Sequence, residues 1–127
     1  MNILIAEDNE INQQLITLYM KKMGWGFVMV ADGNEAMEAF GANSFNAILM
    51  DIDMPLVNGI EAARQIRVLN EKIPIVAITA YADENMRTEC AEAGFNAFIS
   101  KPCSREDIKS VIIECVEISA LNPIPIS

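Results

Sequence analysis

Short, nearly continuous apolar segments alternate with longer amphipathic segments along this chain. The short segments predict strands near residues 2–6, 27–30, 46–50, 74–78 and 96–99. Strands that lack polar alternation are typical of a parallel sheet buried on both faces. The longer segments repeat apolar residues every three or four positions, which predicts helices. The alternation of the two predicts an α/β fold with helices on both faces of one parallel sheet.

The same spacing identifies the residues expected to face the core in each helix. They are Ile11, Leu15 and Leu18 in the first helix, Ala36, Met37 and Phe40 in the second, Ile60, Ala63, Ile66 and Leu69 in the third, Met86 and Cys90 in the fourth, and Ile108, Val111, Ile112 and Cys115 in the fifth. Asn9 is the expected N-cap of the first helix. Ser104 and Asp107 form a near capping box at the start of the fifth.

The length and the charge of the chain limit the possible functions. The 127 residues, 52% of them hydrophobic and 21% charged, predict one compact domain. We assign it to residues 1–118 and expect residues 119–127, which contain two prolines, to be a tail or the start of a linker. The net charge of −9 argues against nucleic-acid binding. Without a signal sequence or a long apolar stretch, the chain is expected to be cytoplasmic and not inserted in a membrane.

Cysteine and histidine usage excludes several kinds of site. Cys90, Cys103 and Cys115 show no paired C-x-x-C spacing and are expected to be reduced, partly buried residues. The sequence contains no histidine, which excludes histidine-based zinc sites and histidine general bases. The chain also cannot carry a phosphohistidine, so any phosphohistidine donor must lie elsewhere.

Polar residues stand where four of the predicted strands end. They are Glu7 and Asp8 after the first strand, Asp51 after the third, Thr79 after the fourth and Lys101 after the fifth. Ligands of open parallel sheets bind at the carboxyl ends of the strands, so these side chains are expected to converge. Two carboxylates about 4 Å apart repel by roughly 4 kcal/mol at an effective dielectric constant of about 20. The cluster is expected to need a cation or a raised carboxylate pKa; for Glu7 and Asp8 alone, the alternative is a solvated loop.

These residues belong to segments that resemble the receiver domain of two-component response regulators. The segments follow the family's order over about the first 118 residues; they are Ile3–Asn9, Leu49–Pro55, Asn58–Gly59, Ile78–Ala80 and Ser100–Pro102. The resemblance is greatest to the receivers of hybrid sensor histidine kinases. It implies a flavodoxin-like (βα)5 fold, a doubly wound sheet of five parallel strands in the order 2-1-3-4-5.

The resemblance also implies a role for each strand-end residue. Asp51 would be the phosphoacceptor, and Lys101 would pair with the phosphoryl group. Asp8 and Asp51 would bind a metal directly, Glu7 through a water, and Asp53 through its backbone carbonyl. Oxygen ligands with incomplete protein coordination favour Mg²⁺ (or Mn²⁺) over calcium or zinc. Glu7 departs from the aspartate that many receivers carry, which puts its direct metal contact in doubt.

Thr79 and Phe98 match the family's switch pair. Thr79 would turn its hydroxyl onto the phosphoryl group, and Phe98 would swing into the vacated space. The alternative for Phe98 is a permanently buried strand aromatic. The resemblance further implies a cis bond between Lys101 and Pro102.

The first helix carries more apolar residues than one core-facing stripe needs. Beside the expected stripe it has Ile16, Tyr19, Met20 and Met23. By resemblance, this helix would dock a histidine kinase or a histidine phosphotransfer domain, and we predict Leu15, Ile16 and Tyr19 as partner-binding residues. The alternative is that Tyr19 and Met23 cap the rim of the core. We expect a monomer.

Two other functions stay open from the sequence. Asp51 and Asp53 also resemble the D-x-D motif of haloacid-dehalogenase-like phosphatases, although that family places the motif on the first strand. A degenerate receiver that acts only as a scaffold is the second possibility.

Overall fold

Five strands and five helices alternate along the chain. The computed structural model describes residues 1–53 and 59–121, apart from the side chain of Leu121. The elements are β1 (Asn2–Ala6), α1 (Glu10–Met23), β2 (Gly26–Val30), α2 (Gly33–Ala42), β3 (Ala47–Asp51), α3 (Gly59–Leu69), β4 (Ile75–Thr79), α4 (Glu84–Ala93), β5 (Ala97–Ser100) and α5 (Arg105–Leu121). Each strand begins within one residue of its predicted position.

The strands form one parallel sheet in the order β2-β1-β3-β4-β5. This confirms the predicted fold class. Strand order reverses beside β1, whose two neighbours are β2 and β3, so a crevice opens at their carboxyl ends. α5 continues to Leu121, past the predicted domain boundary at residue 118. The rest of the predicted tail, together with Met54, Pro55 and Asn58 of the predicted motifs, lies outside the described residues.

Apolar side chains cover both faces of the sheet, as the unbroken strand segments predict. On one face, Ile3, Ile5 and Leu49 pack in a cluster with residues of α1 and α5. On the other, Leu4 and Ile48 pack with residues of α2 and α3. Neighbouring strand residues therefore serve opposite layers, because side chains alternate between the faces of a strand. Within the described part, no helix is long and apolar enough to cross a membrane.

The predicted core stripe of α1 is wrong. Ile11, Leu15 and Leu18 are 75%, 42% and 49% exposed, whereas Ile16 and Met20 are buried. The helix carries two apolar stripes, and polar contacts select between them: Asn12 and Gln13 donate hydrogen bonds to Glu7 beside the sheet. Ile16 and Met20 follow Asn12 at four-residue intervals and therefore face inward as well.

The predicted stripe of α3 is also wrong at its last residue. Ile66 is buried, but Leu69 is 75% exposed. Leu69 lies at the end of the helix, on the rim of a shallow groove that Met37 of α2 also lines. Among the described elements, no strand or helix covers this last turn, so Leu69 stays in solvent.

All three cysteines are free thiols, as predicted. Cys90 is buried, and burial raises the pKa of its thiol to about 11, helped by the charges of Glu89 and Asp53. A thiol with this pKa carries almost no thiolate at neutral pH and is a poor nucleophile.

Arg67 connects α3 to the amino ends of β4 and β5. Its guanidinium donates hydrogen bonds to the carbonyl oxygens of Asn70, Ile73 and Gly94 at 2.8–3.1 Å. It also donates to Oδ1 of Asn96 at 2.8 Å. Gly94 has a φ of +101°, and a Cβ there would lie 2.8 Å from Cγ of Arg67. The Arg67 side chain thus occupies the space that a Cβ at residue 94 would need.

Replacing Arg67 should destabilise the fold at this junction. We expect Arg67→Lys to lower the free energy of unfolding by about 2 kcal/mol, because one ammonium cannot reach all the carbonyl oxygens that the guanidinium now satisfies. Urea denaturation measures the loss. Arg64→Lys, on the exposed side of the same helix, is the control and should change stability little. Equal losses in the two variants would show that the Arg67 contacts contribute no special stability.

Candidate functional site

The carboxyl ends of the strands bring the predicted site residues together. Glu7 and Asp8 follow β1, Asp51 is the last residue of β3, Thr79 ends β4 and Lys101 follows β5. Parallel pairing keeps these ends level, with Asp51 opposite Ile78. Four of the five strands thus carry a polar residue to the same edge of the sheet.

Three carboxylates crowd at this edge. One oxygen from each of Glu7, Asp8 and Asp51 lies within 4.8 Å of the others. Glu7 and Asp51 are almost fully buried, whereas Asp8 is exposed. Burial raises the pKa of Glu7, and the charge of Asp51 raises it further. A raised carboxylate pKa is one of the two ways in which the sequence predicts that this cluster is tolerated, and a bound cation is the other.

Lys101 supplies the positive charge that faces this cluster. Its Nζ lies 2.9 Å from Oδ2 of Asp51 and 3.4 Å from Oε2 of Glu7. Burial alone would lower the pKa of the Lys101 ammonium, but the hydrogen bond and the charge of Asp51 outweigh it, and this pKa is raised. The peptide bond to Pro102 is cis, as predicted.

The carboxylate set fits a divalent cation. Oε2 of Glu7 is buried and has no hydrogen-bond partner among the described residues; the contact with Lys101 is an ion pair. The Lys101 ammonium supplies one positive charge against three carboxylates, so a further cation would be favourable here. The neighbouring oxygens of Asp8 and Asp51 are the hard ligands that Mg²⁺ prefers.

The first turn of α1 holds Glu7 in place. Asn9 caps the helix, as predicted, and its N–H donates to Oε1 of Glu7 at 3.1 Å. Nδ2 of Asn12 donates to the same oxygen at 3.5 Å, and the Gln13 amide donates to the Glu7 carbonyl. The hydrogen bonds from Asn12 and Gln13 to Glu7 were not predicted from the sequence. The available signal was a run of three amide residues, 12–14, in an otherwise apolar-rich helix.

The Thr79 hydroxyl points to Asp53 in this structure. Oγ1 of Thr79 donates to the Asp53 carboxylate at 2.9 and 3.1 Å and accepts the Tyr81 N–H at 3.0 Å. The Ala80 N–H donates to the same carboxylate at 3.2 Å. The N–H of Asp53 donates to Oδ1 of Asp51 at 2.9 Å. From the sequence, Asp53 was expected to use its backbone carbonyl in a receiver or its side chain in a phosphatase; the bonds of its carboxylate to Thr79 and Ala80 were not predicted.

Phe98 is half-buried on β5. It pairs with Ala77 of β4 and packs against Ile52 and Cys90. The guanidinium carbon of Arg87 on α4 lies 5.0 Å from the centre of its ring, within the range of a cation–π contact. The ring is therefore held by the core on one side and by α4 on the other.

A cavity of about 330 Å³ lies beside the carboxylates, between α1 and the segment after β5. Leu15, Ile16 and Tyr19 line it together with Lys101. Of the three predicted partner-binding residues, Ile16 is only 6% exposed and packs on the sheet. Tyr19 is partly buried against the core, as the alternative interpretation expected, and Leu15 is the exposed member of the predicted partner surface.

The sequence matches the family model of the response regulator receiver domain over residues 3–113. The chain belongs to this family. It is 38% identical over 119 residues to the osmosensing histidine protein kinase SLN1 of Saccharomyces cerevisiae, covering 88% of this chain and 10% of that protein. It is 35% identical over 141 residues to the response regulator mcs4 of Schizosaccharomyces pombe, covering 89% of this chain and 27% of that protein. The chain thus spans a small part of both relatives.

Solved structures support the same assignment. The receiver domain of a sensor histidine kinase from Pseudomonas aeruginosa, with a magnesium ion in its active-site cleft, is 33% identical with a TM-score of 0.85, covering 91% of this chain and 97% of that one. A CheY-like receiver from Methanospirillum hungatei is 23% identical with a TM-score of 0.89, covering 95% and 97% of the two chains, and shows the shared fold. The receiver domain acts as a phosphoacceptor in two-component and phosphorelay signalling.

The raised pKa of Glu7 should make stability depend on pH. The folded state binds this proton more tightly than the unfolded chain, whose carboxyl has the ordinary pKa of 4.5. The free energy of unfolding therefore falls as pH rises from 4.5 through the raised pKa. Without divalent cations, wild type should gain stability relative to Glu7→Gln as pH is lowered from neutral towards that value. Urea denaturation at several pH values measures the difference, and parallel curves for the two proteins would contradict the prediction.

Proposed function

We propose that Asp51 is the residue that receives the phosphoryl group. Its carboxylate is buried at the end of β3, where Lys101 contacts one oxygen and the Asp53 N–H the other, both at 2.9 Å. This fixed carboxylate, facing an ammonium within an acidic cluster, is the observation that carries the proposal. An oxygen of Asp51 would attack phosphorus in line as the bond from phosphorus to the donor imidazole breaks.

We propose that Asp8 and Asp51 hold Mg²⁺ (or Mn²⁺) directly, together with the backbone carbonyl of Asp53, and that Glu7 contributes through a water. The buried Glu7 oxygen that accepts no hydrogen bond among the described residues and the magnesium ion in the Pseudomonas aeruginosa relative support this. The cation, when bound, offsets charge on the phosphoryl oxygens. Lys101 adds a point charge from the protein side, and it can shift from Asp51 to the arriving group without leaving the site.

Thr79 and Phe98 are the proposed switch. Thr79 is fully buried and stands at the end of β4, next to the strand that carries Asp51. To bond a phosphoryl group on Asp51, its hydroxyl must leave the Asp53 carboxylate. Phe98, half-buried on the next strand, is then the aromatic side chain that can fill the vacated space.

The proposed donor is a histidine kinase or a histidine phosphotransfer domain, because this chain has no histidine of its own. The partner would contact Leu15 and Tyr19 at the cavity beside Lys101, with Ile16 forming its floor. We propose a cytoplasmic monomer that binds no nucleic acid and catalyses only its own phosphorylation and dephosphorylation. The net charge of −9 supports the exclusion of nucleic acid.

The site favours a receiver over the two alternatives. In a haloacid-dehalogenase-like phosphatase, the second aspartate would serve the leaving group, but here Asp53 binds Thr79 and Ala80 instead. A degenerate scaffold would have lost at least one of the central residues, and Asp51, Thr79 and Lys101 are all in place.

Acetyl phosphate with Mg²⁺ should label Asp51. Intact-mass spectrometry should show one phosphoryl adduct in wild type and none in Asp51→Ala, because the acceptor oxygen is gone. Asp8→Asn should need more Mg²⁺ for the same labelling. Glu10→Gln, an exposed acid in the first turn of α1, is the control and should label normally.

Two results would contradict this assignment. An adduct that survives Asp51→Ala would place the acceptor elsewhere. Steady turnover of a generic phosphate ester would favour a phosphatase.

Leu15 should matter for transfer from a protein donor. Leu15→Glu places a charge at the rim of the cavity and should slow transfer from a phosphohistidine protein about tenfold or more. Labelling by acetyl phosphate should be unchanged. Leu18→Glu is the matched control: Leu18 is similarly exposed on the same helix but lines a different groove, towards Met29 of β2. If both donors slow in Leu15→Glu, the residue is structural and the docking surface is wrong.

A further inference from the structure

The side chain of Asp53 connects the segment after β3 to the end of β4. Its carboxylate accepts the Thr79 hydroxyl and the Ala80 N–H, at distances of 2.9–3.2 Å. Both are donors at the edge of the sheet where Asp51 lies. Asp53 itself is exposed, so no burial requirement forces this contact.

The hydroxyl of Thr79 has one proton to give. In this structure that proton is committed to Asp53, while the Tyr81 N–H donates to the same oxygen. A phosphoryl group on Asp51 would need the proton for itself. The hydroxyl cannot donate to both anions, so the two compete for it.

The Ala80 N–H is the second donor involved. It follows Thr79 directly and also points at the Asp53 carboxylate. Asp53 therefore receives two hydrogen bonds from the end of β4, and a carboxylate holds such donors more strongly than a neutral acceptor does.

We propose that Asp53 is a positioning residue whose carboxylate holds the Thr79 hydroxyl and the Ala80 N–H until a phosphoryl group on Asp51 displaces it. The inference rests on the proposed function of Asp51 and deepens it. Asp53 sets how readily the switch responds, because its contact with Thr79 must break before Thr79 turns.

The consequence is an equilibrium that depends on Asp53. Removing the carboxylate frees both donors in the unphosphorylated protein, so an anion on Asp51 no longer has to displace a competitor. Asp53→Ala should bind beryllofluoride, which stands in for the phosphoryl group on a carboxylate, about tenfold more tightly. Asp53→Asn keeps a neutral hydrogen-bond acceptor, so its affinity for beryllofluoride should rise less than that of Asp53→Ala.

Calorimetric titration of beryllofluoride at saturating Mg²⁺ measures these affinities. Glu84→Gln removes one exposed negative charge at the start of α4 and is the control for charge alone; it should bind as wild type does. Thr79→Ala tests whether the effect depends on the Thr79 hydroxyl. The increase in beryllofluoride affinity from Asp53→Ala should shrink when this hydroxyl is absent. The amide resonance of Ala80 should shift in Asp53→Ala before any ligand is added.

The outcomes distinguish a failure of the proposed function of Asp51 from a failure of the proposed role of Asp53. If wild type does not bind the analogue, or if Asp51→Ala still does, the proposed function fails and this inference fails with it. If binding requires Asp51 but Asp53→Ala gains no affinity, only the inference fails. An equal gain in the Thr79→Ala background would also overturn it, because the effect would then be general electrostatics.

Discussion

A single ammonium faces three carboxylates where the described strands end. Lys101 lies within ion-pair distance of Asp51 and Glu7, and Asp8 stands beside them in solvent. Two such negative charges about 4 Å apart repel by roughly 4 kcal/mol at an effective dielectric constant of about 20. Repulsion among the carboxylates therefore destabilises the folded protein when no cation is bound. The buried strands make this tolerable. They fix the positions of the charged residues through packing on both faces of the sheet, so that repulsion cannot separate them.

This constraint explains much of the local structure around the site. Glu7 is kept in place by donors from Asn9, Asn12 and Gln13, and these contacts also set the rotation of α1 about its own axis. The rotation decides which leucines are left in solvent. A chemical requirement at the edge of the sheet thus determines the surface that α1 presents to other proteins.

The sequence predicted the strands, their order and the convergence of the strand-end residues. These follow from the unbroken apolar segments and the geometry of parallel sheets, and the order followed from the resemblance. The sequence did not predict which stripe of α1 is buried, because two stripes have similar apolar content and the choice depends on contacts with Glu7. Nor did it predict the hydrogen bond between Thr79 and Asp53, which joins the end of β4 to the segment after β3. Spacing along the chain carries no information about such a contact.

Arg67 stabilises one end of the sheet, and the functional residues lie at the other end. The guanidinium fastens the segments that lead into β4 and β5, at the opposite end from Asp51 and Thr79. The positions of β4 and β5 are therefore fixed at the end of the sheet opposite the phosphoacceptor site. The hydrogen bonds of Arg67 hold the chain where it enters β4 and β5 and involve none of the residues at the carboxyl ends. A substitution at Asp51 or Thr79 can therefore change the chemistry of the site and leave the opposite end of the sheet as it is.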